Sequence, residues 1–279
     1  MSASTQAPND DRRNEVVERN SSRGDFAAGS ARDSCLFRAV LYASVVGFLC
    51  WFLMPHGCVY PKSVAWRTQS RQNLRQIGLA FHNYHDAYSS FPEGPSSEPD
   101  AGTHSWQTKL LPHLDYSPLY SSVNLEKSWS DEANRPTFEA VVPEYRHPHD
   151  TEQFRPLRGY ALSSYAASSR VVRPDAGMTY RKFIDGTSNT ILAGEVAAGF
   201  KPWGDPANVR DPAAGVSGSV DGFGGRNQRG PQMLFVDGSV KTIHPKVAPK
   251  VLRSLATPDG GEKVDWDDVD RPEGSTERR

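Results

Sequence analysis

Histidines and carboxylates at short spacing are the residues in this chain whose types could do chemistry. His82 and His85 lie three apart, and His147-x-His149-Asp150 repeats the theme with a carboxylate attached. Either set could supply two ligands to a metal, but neither has a third ligand at a recognisable spacing, and Arg146 places positive charge beside the second. Both sets are therefore read as exposed histidines of a helix and a turn. Asp185-Gly186-Thr187-Ser188-Asn189-Thr190 packs hydrogen-bonding side chains around a glycine, but the acidic spacing of an EF-hand loop is missing. It reads as a turn that caps and starts the next element. Glu195 could be a catalytic carboxylate, yet no partner acid announces itself. Gly222-Phe223-Gly224-Gly225 is not followed by Lys-Ser/Thr, as a phosphate loop would be, and neither G-x-S-x-G nor H-E-x-x-H occurs. The expectation is a non-enzyme with no catalytic residue, no cofactor and no metal. Asp185, Gly186, Asp237 and Gly238 stand out as structural motif residues.

The elements that must position these groups are short. Gly and Pro number 23 and 21 in 279 residues, which favours turns and brief strands over a helical bundle. Lys+Arg at 32 against Asp+Glu at 33 gives a net charge of −1, so no overall basic character points to nucleic acid. All three cysteines (Cys35, Cys50, Cys58) precede residue 59, leaving the body without a cysteine metal site or disulfide. Pro55-His56-Gly57 before Cys58 matches a lipobox poorly. Residues 1–34 are polar and read as disordered. Leu36 to Met54 is one apolar run, interrupted only by Arg38, and with no A-x-A site after it the run reads as an uncleaved membrane-spanning signal anchor. Arg19, Arg23, Arg32 and Arg38 on one side oppose Lys62, Arg67, Arg71 and Arg75 on the other, so charge does not orient it.

A second helix is predicted over 62–90, where Leu74, Ile77, Phe81, Tyr84 and Tyr88 recur at spacings of 3, 4, 3 and 4. Trp106 to Leu114 and Leu119 to Leu125 read as brief mixed elements. Tyr160 to Ala166, Val171 to Arg173 and Thr190 to Ala193 read as strands, and Gly199 to Gly230 as loops. Asp237-Gly238 between two β-rich runs predicts a hairpin with a two-residue mirror-image turn. Val247 to Leu255 reads as a short helix, and 269–279 as a disordered tail.

The run Arg67-Thr68-Gln69-Ser70-Arg71-Gln72-Asn73-Leu74-Arg75-Gln76-Ile77-Gly78, continuing through Phe81-His82-Asn83-Tyr84-His85-Asp86 to Phe91-Pro92, carries a resemblance. So do Ser105-Trp106 through Leu110-Leu111-Pro112, then Asp185 through Leu192, then Leu234-Phe235-Val236-Asp237-Gly238-Ser239-Val240. In that order they resemble the "domain of unknown function 1559" family, a solute-binding-like group similar to type II secretion pseudopilins, over roughly 62–268. The resemblance implies an α+β, pilin-like fold: an N-terminal transmembrane and amphipathic helical spine, Leu36 through Tyr88, then a β-rich domain ending in a hairpin. It also implies a single-pass protein with its C-terminal domain outside the cytoplasm, and the membrane and other envelope or pseudopilin-like proteins as partners. Where the family has the glycine and glutamate of a prepilin leader this chain has Asp33 and Arg38. Where the family has two cysteines it has Ser70 and His147, a joint loss that a disulfide pair would show, and Asn227 replaces a family histidine. Two other functions are weighed against a structural or interaction role. One is a tethered module binding a small solute or glycan through Trp106, Trp129, Trp203 and Phe223; the other is a hydrolase.

Overall fold

The computed structural model describes residues 37–49, 62–96, 104–150, 159–174, 177–226 and 228–270. The chain divides into two units, Met1–Val59 and Tyr60–Arg279. In the first, helix α1 spans 37–49. Among the described residues no helix is long and apolar enough to cross a membrane. Residues 36 and 50–54 of the expected span lie outside the described residues, as do 1–34, 55–61 of the expected continuous spine, Asn227 and 271–279.

The second unit is α+β. Its long helix α2, Lys62–Tyr88, buries the expected stripe: Leu74, Ile77 and Phe81 are fully covered, with Ser70 and Asn73 beside them one turn earlier. The stripe leaves the core at its end, where Tyr84 is half-buried and Tyr88 is exposed. Short helices α3 (Trp106–Leu110), α4 (Ser117–Ser121) and α5 (Arg135–Phe138) follow. Ser105 caps α3 by accepting the Thr108 N–H.

The strands are β1 (Leu162–Ser163), β2 (Tyr165–Ser168), β3 (Ile191–Glu195), β4 (Lys201–Pro202), β5 (Val209–Arg210), β6 (Gln232–Phe235) and β7 (Val240–Thr242). Five form one sheet in the order β5-β2-β3-β6-β7, antiparallel except for the β2–β5 pair, and β1 pairs with β4 apart from it. Both faces of the sheet are covered, which explains the unbroken apolar run at its centre. Leu234 and Val236 pack toward α2, whereas Met233 and Phe235 face the opposite cluster with Leu252 and Leu255 of α6 (Pro249–Ala256). A final helix, α7, spans Trp266–Asp270.

Three expectations are corrected. The single strand over Tyr160–Ala166 is two, broken at Ser164, whose N–H turns away to the Tyr145 carbonyl. Val171 to Arg173 is a turn: the N–H groups of Val171 and Val172 both return to Ser168, and their side chains are apolar for packing rather than pairing. The stretch Gly199–Gly230 is not loose. It carries β4 and β5 and wraps the buried Arg210, whose guanidinium donates to the carbonyls of Ala198 (2.8 Å), Gly199 (2.7 Å), Gly222 (2.9 Å), Ser219 and Val220.

The hairpin is present, but its turn sits one residue early. Val236, Asp237 and Gly238 form a three-residue loop closed by Gly238 N–H to Phe235 O at 2.9 Å, and only Gly238 has positive φ, at +82°. The cause is tertiary. Val236 and Asp237 donate their N–H groups to Thr190 and Thr187, so the turn is drawn onto the Asp185–Thr190 loop. Asp237 accepts the Ser239 N–H at 2.8 Å. Replacing Gly238 with valine is expected to cost about 1–3 kcal/mol through positive φ on a β-branched residue, with the new Cβ only 3.4 Å from His82 Nε2. Asp237→Asn keeps the acceptor and should leave the thermal midpoint unchanged. Equal melting of both variants and the parent would refute this account of the turn.

Candidate functional site

The densest polar cluster lies under α2, on the inner side of the sheet. Ser70 faces β3 because it shares the buried stripe of α2, and its hydroxyl donates to Glu195 Oε1 in a short hydrogen bond. Tyr165 from β2 hydrogen-bonds the same hydroxyl at 3.0 Å. From β6, Gln232 gives its backbone N–H to Glu195 Oε2 at 3.0 Å and its side-chain amide to Oε1 at 3.3 Å. His147 Nε2 lies 3.5 Å from Glu195 Oε1. The backbone N–H of His149 donates to His147 Nδ1, so the ring proton sits on Nε2, toward the carboxylate. Ser70, His147 and Glu195 are each at most 4% exposed.

A second carboxylate completes the cluster. Asp150 takes Arg226 Nε at 3.0 Å, a second and shorter bond from the same guanidinium, and the Ser164 hydroxyl at 2.8 Å. Arg226 also donates to the Val196 carbonyl just beyond β3. Asn73 of α2 donates to Arg146 O at 2.9 Å, holding the 146–150 turn against the helix. Beside it opens a cavity of about 500 Å³ lined by Asn73, Gln76, Glu144, Arg146, His147 and Asp150.

The electrostatics follow from burial. Desolvation raises the Glu195 carboxyl above its usual range, against the donors from Ser70 and Gln232. Burial, then the charge of Arg226, lowers His147 to about 4. Burial would also raise Asp150, but Arg226 and Ser164 prevail and hold it below the ordinary carboxylate value. In chemical terms the cluster is a set of joints. The Ser70 hydroxyl donates to the Glu195 carboxylate, and His147 stands against the same carboxylate oxygen.

A pH dependence follows. His147 binds its proton more weakly folded than unfolded, so its contribution to stability is present above about pH 6.5 and is lost as pH falls toward 4, by about 2–3 kcal/mol in all. Glu195 titrates in the opposite sense and Asp150 loses stability at lower pH, so the informative quantity is a difference. The midpoint gap between the parent and His147→Gln should be wide at pH 7 and shrink by pH 5. A constant gap would contradict it.

The sequence motifs are placed as follows. Asp185 accepts the N–H groups of Gly260 (2.8 Å) and Gly261 (2.7 Å), Gly186 has φ +95°, and Asn189 returns its amide to Asp185 O. This loop therefore binds the C-terminal segment on one side and the hairpin turn, with Asp237 and Gly238, on the other. His82 and His85 flank Tyr180, hydrogen-bonded and stacked at 6.0 Å for the first and 4.1 Å between ring centres for the second. Among the described residues no group of three or more His, Cys, Asp or Glu is placed to hold a metal ion. The reading of the histidines as exposed is corrected for three of the four: His147 is buried, His82 and His85 are half-buried against Tyr180, and His149 is exposed. The reading of the four aromatics as a ligand-binding set is corrected as well: Trp106, Trp203 and Phe223 are core residues, and Trp129 is half-buried edge-on to Phe138 and Tyr160.

Glu195, His147 and Asp150 were visible as residue types, and Ser70 through the resemblance. Tyr165, Arg226, Gln232 and Asn73 carried no local signal. The model of a family described as SBP_bac_10, protein of unknown function (DUF1559), matches residues 62–218. No curated protein and no solved structure matches the chain.

Proposed function

The chain belongs to the DUF1559 family, and from that premise we propose a single-pass, membrane-anchored, pseudopilin-like extracytoplasmic protein. Its role is structural or interactive rather than enzymatic, with other envelope proteins as partners. The observation that carries this reading is α1, which leaves Phe37, Val40, Tyr42, Val46 and Phe48 each more than half exposed. Apart from Arg38 near its start, the helix is apolar, and such a surface is covered by lipid or by protein in use. The Ser44 hydroxyl is satisfied within the helix by donating to Val40 O at 2.8 Å, as a lipid environment requires. Support for a non-enzymatic role comes from the cluster around Glu195, whose groups are spent on holding α2 to the sheet.

Fractionation of cells expressing the full chain tests this. The full chain should sediment with membranes and resist alkaline carbonate, deletion of residues 36–54 should release it, and protease added to whole cells should shave residues 62–270. Recovery of the full chain in the soluble fraction, or a body protected in whole cells, overturns the reading.

A further inference from the structure

The N-terminal half of α2 carries Arg67, Arg71 and Arg75 at successive spacings of four, so the three side chains form one row on one face. This arrangement is unfavourable for a helix that has only itself to stabilise, because like charges at i,i+4 repel. The helix offers no local relief, because the only acidic residue from Lys62 to Tyr88 is Asp86, at the far end. A fourth arginine, Arg229 from the segment leading into β6, closes on the same row, and with Thr68 and Gln232 the four line a groove of about 330 Å³. Among the described residues that line it, none is acidic.

The groove is also splinted. Arg67 donates to the Thr242 hydroxyl of β7 at 3.0 Å, and Arg71 donates Nε to Gln232 Oε1 of β6 at 3.2 Å. Each guanidinium thus spends one of its five donors on being aimed, and keeps the rest. Glu195, whose charge reaches Arg67, is buried behind Gln232 and already accepts from it. Burial and the charges of Arg229 and Arg71 draw Arg67 below its ordinary pKa, with Glu195 pulling the other way.

We propose that the Arg67–Arg71–Arg75–Arg229 groove is a binding site for a phosphate dianion. Several planar forks converge on one small concavity, the geometry that bidentate recognition of a phosphoryl group requires. Two sources present that chemistry: a free or solute-borne phosphate, and the phosphomonoester headgroup of an anionic lipid. The site does not depend on how residues 36–54 are used.

Inorganic phosphate titrated into the full chain in zwitterionic detergent, followed by calorimetry at fixed ionic strength, tests the site. The parent should bind with a Kd of about 1 mM or tighter. Arg75→Gln, an exposed position with no hydrogen bond or ion pair among the described residues, should weaken binding about tenfold with an unchanged melt, and Arg67→Gln should weaken it further. Repeating the titration in vesicles of phosphatidylcholine with and without phosphatidate separates the sources. Competition by phosphatidate assigns the groove to the headgroup; unchanged affinity assigns it to soluble phosphate. Absence of binding in detergent and in both vesicle types, or equal binding by parent and Arg75→Gln, overturns the proposal.

Discussion

Glu195→Ala should lower the stability of the domain by about 4 kcal/mol, a fall of about 10 °C in the thermal midpoint for a domain of this size. The carboxylate accepts from the Ser70 hydroxyl, from the Gln232 N–H and from the Gln232 amide, and none of these donors has water within reach. Truncation orphans the Gln232 backbone N–H, leaves Ser70 with Tyr165 alone and the Gln232 amide with the Arg67 carbonyl alone, and leaves His147 Nε2–H without its carboxylate. Each buried donor without a partner costs about 1–3 kcal/mol, partly recovered where Ser70 turns wholly to Tyr165. Glu195→Gln should cost about half as much, because the amide keeps an acceptor but presents its own N–H groups to donors. A structural joint gives this order, Ala well below Gln, in denaturant unfolding. Two variants as stable as the parent would mean that Glu195 is a tolerated burden retained for some other purpose.

Trp106→Ala should be as damaging, at about 4–5 kcal/mol. The indole is 1% exposed, stacks on Phe81 at 5.2 Å, meets Tyr145 edge-on and donates Nε1–H to Asn208 O at 2.9 Å. Removing it opens a cavity between α2 and α3 and leaves the Asn208 carbonyl with only the longer bond from the Ala167 N–H at 3.4 Å. The expected result is a chain that expresses poorly or melts far below the parent. A folded variant of parental stability would reopen the aromatic residues as a ligand surface. Trp106→Phe, which keeps the stacking and loses only the N–H, should fall between.

The spacing of Leu74, Ile77 and Phe81 was enough to find α2 and its buried face, because a helix repeats its own geometry whatever it packs on. The hairpin was equally plain from Asp237-Gly238, yet its turn type was not. The deciding contacts come from Thr187 and Thr190, almost fifty residues earlier. Paired strands as short as β1, β4 and β5 were illegible for a related reason: two residues show no alternation. The cluster around Glu195 shows the limit most clearly. Its partners Ser70 and Gln232 lie 125 and 37 residues away along the chain, and Arg226 reaches Asp150 across 76. A carboxylate that finds its donors through the fold leaves nothing in its own neighbourhood to announce them.

Arg210 has a consequence that reaches beyond local packing. Loops rich in glycine and turned carbonyls commonly gather around a calcium ion, which supplies the charge that holds the oxygens together. Here the carbonyls of Ala198, Gly199, Ser219, Val220 and Gly222 gather around a cation that is part of the polypeptide. Such an ion has no dissociation constant and cannot be stripped by a chelator or lost by dilution. The loop therefore owes its order to the pairing of β5 with β2, which delivers the guanidinium, and not to the ionic composition of the medium.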